Sequence, residues 1–362
     1  MRQLNILAKF GTMTPASSMM PPIEKALIIR LSSVGDILLS TPLIRVLRQQ
    51  YPECRLDYLV KREFAEVVRH NPYLSSVIEL EPGSFDKIRS MRGEIRSRGY
   101  DLVIDIHDSL RSRYLCAGER NVVKINKRRI ARFVLISTGI DLYGSSAHSV
   151  TQRYLDTMSS FGVEDDRRGL EIHIPDELRD RAERTIAQAR RPLIGIAAGA
   201  SRGTKMWSPD GFTETAVTLS QTTGTDIILF GSAAEADLCV GIEQAVRSRD
   251  GGIGVINMAG KTTLLEAAAL MDHCRVVITN DSGLMHLATA RKRPVVALFG
   301  PTVRQFGFFP VGSEHVVVQN KGLSCRPCSA HGTTRCPKGH FRCMNDISPA
   351  SVIDAARGLM SA

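Results

Sequence analysis

The sequence lacks the features of a protein that crosses a membrane or is exported. Its longest charge-free run, residues 10–23, is 14 residues long and contains three prolines, whereas a membrane-crossing helix needs roughly 20 apolar residues. The first 22 residues lack the apolar core and small-residue cleavage site of a signal peptide. We therefore expect a cytoplasmic protein, whose eight cysteines are reduced thiols or metal ligands and not disulfides.

Aromatic and acidic residues are also scarce. Aromatics make up 6% of the chain, and 37 acidic residues face 47 basic ones, which gives a net charge of +10. This excess predicts a polyanionic partner such as nucleic acid, a phosphorylated substrate or an anionic membrane. Few aromatics are available to stack on bases, which counts against nucleic acid. The excess is also local, because residues 111–132 hold eight basic residues and one acidic residue.

The apolar pattern predicts an α/β fold. Residues 25–30 form a short apolar run, residues 31–36 are typical of a loop, and residues 37–51 have apolar side chains at helical spacing. The same order repeats to residue 105 and starts again at residues 192–197. Such alternation builds right-handed βαβ units with parallel sheets. We therefore expect two similar domains, whose ligands bind in the cleft between them, beyond the carboxyl ends of the strands.

The same pattern predicts where the chain divides. The predicted parts are a mobile extension (1–22), an N-terminal Rossmann-like domain (23–170), a linker region (171–190), a C-terminal Rossmann-like domain (191–345) with a Cys-rich segment (325–343), and a C-terminal helix (346–362). The linker follows from a composition rich in proline, aspartate and arginine after the last helix of the first domain.

Asp36 is the first candidate for chemistry, because it lies where the first loop meets the first helix. Two interpretations fit this position. A carboxylate there can cap the helix, or it can project into the cleft as a general base. The sequence pattern alone leaves both open.

Two loops of the second domain hold residues suited to an anion. A loop of small residues ends near Lys205, whose charge suits a phosphate, although a solvated surface lysine is the alternative. A second loop leads into a helix that begins near Ser282, where unpaired backbone N–H groups attract anions. Asp281 caps that helix or orients the site, and His286 is either a packed helical residue or a substrate contact.

Two further motifs are less specific. Residues 254–262 resemble a phosphate-binding P-loop, but five residues separate the glycines where four are required. Near the C-terminus, a Cys-x2-Cys pair is followed by two spaced cysteines, at Cys325, Cys328, Cys336 and Cys343. This spacing suits a structural zinc ion or an iron–sulfur cluster, and equally a loop without metal. In either case we expect an excursion before the last helix and not a catalytic centre.

Several motifs, in order along residues 25–355, resemble those of the ADP-heptose:lipopolysaccharide heptosyltransferases, glycosyltransferase family 9. They are Ser32-Ser-Val-Gly-Asp36, Ser109-Leu-Arg-Ser112, Lys205-Met-Trp207-Ser-Pro209, Leu229-Phe-Gly-Ser232, Thr279-Asn-Asp-Ser-Gly-Leu-Met-His286 and Phe299-Gly-Pro-Thr302. The fourth and fifth motifs look most like the heptosyltransferase II branch.

The resemblance implies a GT-B fold with an acceptor-binding N-terminal domain and a donor-binding C-terminal domain. It also implies an inverting, metal-independent transfer with Asp36 as the general base. The implied diphosphate-binding residues are Lys205, Ser282 and Gly283. The implied contacts to the donor nucleotide or sugar are Thr204, Gly231, Ser232, Glu235, Asp281 and His286, and the implied acceptor contacts are Ser32, Arg111 and Arg113.

On this basis we expect transfer of L-glycero-D-manno-heptose from ADP-heptose to the lipid A–Kdo inner core of lipopolysaccharide, with no cofactor required for catalysis. The expected partners are the ADP-sugar, the phosphorylated glycolipid and the anionic inner face of the cytoplasmic membrane, on which the protein is a peripheral monomer. Two alternatives stay open. One is a glycosyltransferase of the same fold with another nucleotide sugar or acceptor, and the other is a nucleic-acid-binding module with a four-cysteine metal site.

Overall fold

A computed structural model describes residues 23–144 and 148–361. The predicted extension, residues 1–22, lies outside the described residues. The described chain forms two parallel β-sheets with helices packed against them, as the alternating pattern predicts.

The first sheet belongs to the N-terminal half of the chain. Its strands are β1 (Lys25–Ile29), β2 (Arg55–Lys61), β3 (Ser76–Leu80), β4 (Leu102–Asp105) and β5 (Val122–Lys124). The helices of this half are α1 (Val34–Leu38), α2 (Thr41–Gln50), α3 (Glu66–Arg69), α4 (Phe85–Arg98), α5 (Leu110–Leu115), α6 (Arg129–Thr138) and α7 (Val150–Asp156). The spatial order β3-β2-β1-β4-β5 reverses its direction of winding between β1 and β4. Open α/β sheets bind their ligands at such a point.

The second sheet follows the same plan. The region for which a linker is predicted, 171–190, contains α8 (Asp176–Ile186), and the strands after it are β6 (Leu193–Ala197), β7 (Asp226–Leu229), β8 (Val255–Asn257), β9 (Cys274–Asn280), β10 (Val295–Leu298) and β11 (His315–Val318). The helices are α9 (Pro209–Thr223), α10 (Ala236–Arg249), α11 (Leu264–Met271), α12 (Gly283–Ala290), α13 (Arg342–Asn345) and α14 (Pro349–Ser361). The order β11-β10-β9-β6-β7-β8 changes direction between β6 and β9, and α8 packs against α11.

The apolar spacing predicts one continuous helix where the structure has two, α1 and α2. The chain turns between them because the Ser40 hydroxyl donates to the Ile37 carbonyl (2.7 Å) and the Thr41 hydroxyl donates to the Leu38 carbonyl (2.8 Å). Side chains thus satisfy carbonyls that a continuing helix would bond through its backbone. Pro42, at the start of α2, has no N–H with which to continue that ladder.

The carboxyl ends of the two sheets face each other, and the domains touch there. Helix α1 packs so closely on α12 that a Cβ atom on Gly35 would lie 2.7 Å from Cδ2 of His286, and one on Gly283 would lie 3.3 Å from Cβ of Val34. Further out, the Glu66 carboxylate of α3 accepts hydrogen bonds from the first two N–H groups of α11, at 3.3 and 3.1 Å. A negative charge is favourable at that helix end. One apolar core cluster extends through both domains.

The segment that connects the domains is held on both sides. Arg45 of α2 is buried and binds Asp166 through two N–O contacts of 2.6 Å and Glu171 through one of 2.7 Å. From the second domain, Lys292 donates to the Leu170 carbonyl at 2.8 Å. The connection is therefore fixed to both domains.

Candidate functional site

The two points at which the sheets reverse their winding face each other, and predicted site residues gather there. Asp36 follows β1, Lys205 follows β6, and Asp281 follows β9. These strands lie at the reversal points of their sheets. The topology therefore explains why residues so distant in sequence meet at one cleft.

Asp36 is the third residue of α1, whose N-cap position is occupied by Ser33. The interpretation of Asp36 as the N-cap residue is therefore wrong. Its carboxylate is 21% exposed, lies 2.6 Å from Nη2 of Arg30 and accepts hydrogen bonds from the hydroxyls of Ser33 (3.2 Å) and Tyr154 (3.4 Å). Burial raises the pKa of Asp36, but the charge and hydrogen bond of Arg30 outweigh it, so that the pKa lies below its usual range. Asp36 is thus an ionised, accessible proton acceptor.

Two residues that sequence reasoning missed lie near this ion pair. His107 follows β4, and its buried Nδ1 atom has no hydrogen-bond partner among the described residues. Burial, together with the charges of Arg30 and Lys127, lowers the pKa of His107 to about 3. Burial and Arg30 lower the pKa of Lys127 to about 8. The only signal in the sequence was their position after a strand of the parallel sheet.

Lys205 is not a solvated surface lysine. Its side chain is mostly buried, and its Nζ lies 2.7 Å from Oδ2 of Asp281, which also accepts a hydrogen bond from the Thr302 hydroxyl at 2.7 Å. Ser282 occupies the N-cap position of α12, so Asp281 orients Lys205 and does not cap the helix. The arrangement holds an ammonium group beside the start of α12, where a phosphate finds both positive charge and backbone N–H groups.

His286 is a packed helical residue at the contact between the domains. Its side chain is buried against Gly35 of α1, and its Nδ1 atom has no hydrogen-bond partner among the described residues. Burial lowers the pKa of His286 to about 4, although the charges of Asp281 and Asp36 oppose this. The imidazole is therefore neutral at pH 7.

The other predicted donor residues in the loop after β7 form a compact turn. The Glu235 carboxylate accepts hydrogen bonds from the N–H (2.8 Å) and the hydroxyl (2.9 Å) of Ser232. It lies so close to Gly199 that a Cβ there would be 1.9 Å from Oε1. Gly231 is similarly confined, with 3.3 Å between a Cβ on it and Cβ of Glu235. Glu235 is thus placed at the carboxyl end of β6, on the second-domain side of the cleft.

The predicted acceptor residues are placed differently from one another. Ser32 is half-buried directly before the N-cap of α1, whereas Arg111 is exposed on α5. Arg113 binds Asp108 at 2.7 Å, and Arg129 binds the same carboxylate at 2.6 Å. Both arginines line a basic surface cavity of about 570 Å³. Arg129 thus shares this cavity with Arg113, whereas Arg111 lies outside it.

The Cys-rich segment lies mostly in irregular structure before the last helix, as expected, and it also borders the site. Thr204 donates to the Thr333 carbonyl through its N–H (3.1 Å) and hydroxyl (2.9 Å), and that hydroxyl accepts from the Thr333 N–H at 2.8 Å. The Thr204 hydroxyl therefore braces the loop of Lys205 against this segment. His331 of the same segment faces the cleft, where burial and the charge of Arg132 lower its pKa.

The thiols of the Cys-rich segment differ in their surroundings. Burial raises the pKa of Cys328, and it raises the pKa of Cys343 to about 11. At Cys336 burial also raises the pKa, but hydrogen bonds from the backbone of residues 338–341 outweigh it and lower the pKa. In the part of the chain that the structure describes, no three His, Cys, Asp or Glu side chains are arranged to hold a metal ion. Metal binding by the four cysteines of this segment stays an untested prediction.

A sequence model described as glycosyltransferase family 9 (heptosyltransferase) matches residues 88–338, which is more than half of the chain. The chain belongs to glycosyltransferase family 9. The lipooligosaccharide heptosyltransferase 2 of Haemophilus influenzae is 32% identical over 354 residues, which cover 92% of this chain and 99% of that protein. The lipopolysaccharide heptosyltransferase 2 of Salmonella typhimurium is 26% identical and covers 93% and 99%.

Solved structures agree with this family 9 assignment at the level of the fold. A family 9 glycosyltransferase from Veillonella parvula superposes with a TM-score of 0.75 at 22% identity, covering 93% of this chain and 97% of that one. The ADP-heptose lipopolysaccharide heptosyltransferase II of Escherichia coli gives 0.72 at 24% identity, covering 93% and 98%. The predicted GT-B fold, with its two Rossmann-like domains, is confirmed.

Membership of family 9 makes this protein a glycosyltransferase and sets aside the nucleic-acid-binding alternative. Its relatives named heptosyltransferase 2 support the predicted branch. The family match begins at residue 88 and does not include Asp36. The role of Asp36 as a base is therefore inferred from the geometry described above. Among the described residues of this family 9 enzyme, no helix is both long enough and apolar enough to cross a membrane.

Proposed function

We propose that this protein transfers L-glycero-D-manno-heptose from ADP-heptose to the lipid A–Kdo inner core of lipopolysaccharide. The observation that carries the proposal is the convergence across one cleft of the Asp36 carboxylate with Lys205 and the start of α12. Similarity over nearly full length to a lipooligosaccharide heptosyltransferase 2 supports the choice of donor sugar and acceptor class.

The proposed reaction is a single displacement with inversion at the anomeric carbon. The Asp36 carboxylate takes the proton of an acceptor hydroxyl while that oxygen forms a bond to the anomeric carbon. The bond from this carbon to the diphosphate breaks, and ADP leaves with its electron pair. The low pKa of Asp36 keeps it ionised, and it accepts the proton as the hydroxyl becomes more acidic in the transition state.

The proposed electrostatic stabilisation comes from the chain itself. Lys205, held by Asp281, and the N–H groups at Ser282 and Gly283 offer positive charge to the departing diphosphate. Because these groups supply that charge, the proposed transfer needs no metal ion. Contact between α1 and α12 brings the base and the leaving-group site together and limits the access of water.

The proposed acceptor side is the basic surface of the first domain. Arg113, Lys127 and Arg129 line its cavity, and a phosphorylated, carboxylate-bearing glycolipid suits this charge. We place the protein as a peripheral monomer at the inner face of the cytoplasmic membrane, where such an acceptor is available.

The test is a pair of variants assayed for nucleotide release with ADP-heptose and a lipid A–Kdo acceptor. For Asp36→Asn we expect transfer to fall about 10²–10⁴-fold with donor affinity nearly unchanged. Asp86→Asn is the matched control, because Asp86 also lies in the first turn of a helix but is exposed. Transfer retained by Asp36→Asn would remove Asp36 as the base.

For Lys205→Ala we expect donor affinity to weaken about 10–100-fold, since a charge-assisted contact to the diphosphate is lost. Lys87→Ala, at an exposed lysine of the first domain, is its control. A donor screen with UDP- and GDP-sugars tests the alternative of another nucleotide sugar. Release from one of these in preference to ADP-heptose would overturn the proposed donor.

A further inference from the structure

Helix α6 exposes large apolar side chains that the transfer reaction does not use. Ile130 is 78% exposed and Phe133 is 69% exposed, and Ile140 and Leu142, just beyond the helix, are also more than half exposed. Leu110, at the start of α5, is 87% exposed. We name these five residues the α6 face. Soluble surfaces expose single apolar residues routinely, but a group of this size marks an interaction surface.

The orientation of α6 is fixed by its opposite side. Leu135 is buried with Tyr143 and with Phe306 of the second domain. Val303 and Phe308 pack against this cluster. Since the inner side of the helix already has its partners, the α6 face is the side that remains outward.

Positive charge surrounds the α6 face. Arg111 adjoins Leu110, and Arg128, Arg129 and Arg132 lie on or next to α6. Asp108 pairs with Arg129, whereas within the described residues Arg111, Arg128 and Arg132 have no carboxylate at ion-pair distance. Large apolar side chains among arginines match the boundary between acyl chains and anionic headgroups. Nucleic acid, or a protein surface that offers carboxylates alone, would use the charge but leave the apolar groups in water.

The α6 face also lies close to the cleft. Phe308, which packs against the cluster of Leu135, has its ring centroid 6.1 Å from that of His331 at the site. Asp108, which adjoins the site residue His107, holds Arg129 from the same helix. A partner that binds α6 therefore lies next to the entrance to the acceptor-binding side of the cleft.

We propose that the α6 face docks the protein on the anionic surface of a lipid bilayer, with Phe133 and its apolar neighbours among the acyl chains and the arginines on lipid phosphates. The benefit of this docking rests on the proposed function, because docking presents the cleft to an acceptor that is itself anchored in the bilayer. The docking does not depend on the identity of the sugar.

The test is co-sedimentation of the full chain with vesicles of phosphatidylethanolamine and phosphatidylglycerol, compared with vesicles of phosphatidylcholine alone. We expect binding to the anionic vesicles that weakens as salt is added. The variant Phe133→Ser/Ile140→Ser should bind at least about tenfold more weakly, since the loss of even one large apolar group from an apolar phase changes an equilibrium constant by about that factor. Val240→Ser is the matched control, because Val240 is an exposed apolar residue on α10 of the other domain.

Equal binding to both kinds of vesicle, or equal loss in the Val240→Ser control, would overturn the proposal. So would binding that requires acceptor lipid in the vesicle, because the face would then hold substrate acyl chains. Arg128→Ser, on the rim of the face, should weaken binding to anionic vesicles and leave the melting temperature unchanged. Transfer to a water-soluble, deacylated acceptor should be unchanged in the Phe133→Ser/Ile140→Ser variant. Absence of this transfer in the unmodified protein would count against the proposed function and leave the vesicle result intact.

Discussion

Because Gly35 contacts His286, we expect Gly35→Ala to destabilise the protein when His286 is present and not when His286 is replaced by alanine. A Cβ atom on Gly35 would lie 2.7 Å from Cδ2 of His286 and 3.5 Å from its Nε2. Ordinary contact begins near 3.4 Å, so Gly35→Ala forces the helices apart by about 0.7 Å. The His286 side chain is buried between α12 and α1, so a change of rotamer does not bring the imidazole into solvent.

Two opposing effects set the magnitude. Alanine inside a helix is better than glycine by about 0.5–1 kcal/mol, whereas forcing extra volume into a packed contact costs about 1–3 kcal/mol. We therefore expect Gly35→Ala to lower the free energy of unfolding by about 1–2 kcal/mol. In a His286→Ala background the clash is gone, so the same substitution should be neutral or stabilising by up to about 1 kcal/mol.

The assay is urea unfolding of the four members of this double-mutant cycle, followed by circular dichroism. Transfer rates should fall in Gly35→Ala as well, because α1 carries Asp36 away from its position. Additive effects in the cycle, or stabilisation by Gly35→Ala in the unmodified background, would show that α1 and α12 are not in contact in solution. The cycle thus measures the contact on which the proposed chemistry depends.

Three further predictions use other parts of the structure. Burial lowers the pKa of His286 to about 4 from an unfolded value of 6.5, so the unfolded chain binds more protons between these pH values. The free energy of unfolding should therefore fall by about 3 kcal/mol as the pH drops from 6.5 to 4. This part of the pH dependence should vanish in His286→Asn. Arg45→Leu should cost about 3–5 kcal/mol in urea unfolding, because Asp166 and Glu171 lose their shared buried partner, and a cost below 1 kcal/mol would contradict this account of the connection. Dialysis against EDTA should leave the rate of heptose transfer unchanged, since in the proposed mechanism Lys205 and the α12 amides supply the positive charge. Activity that is lost and then restored by Mg²⁺ would refute this.

The fold could be predicted from the sequence because its strands are short apolar runs that alternate with helices at regular spacing. The turn that divides α1 from α2 could not, because the apolar spacing continues through it. Its cause is local bonding by Ser40 and Thr41, and hydroxyls at those positions are also compatible with a helix. Short edge elements such as β5 and β11 carry too few residues to show a period.

The candidate site was predictable where a loop follows a strand of the parallel sheet, as at Asp36, Lys205 and Asp281. The partners of these residues were not. The pairing of Lys205 with Asp281 joins loops from two strands, and the approach of His331 depends on a long segment whose path has no local signature. Similarly, the positions of Arg111 and Arg113 two residues apart give no sign that only Arg113 turns toward the cavity.

The double-sided hold on the connecting segment has a mechanical consequence. Arg45 grips Asp166 and Glu171 from the first domain, while Lys292 grips the Leu170 carbonyl from the second. The covalent chain at residues 166–171 is thus one of several links between the halves and not their sole tether. We expect the two fragments of a molecule cleaved by a protease within this segment to remain associated. Separately produced domains should reassemble through the same interface.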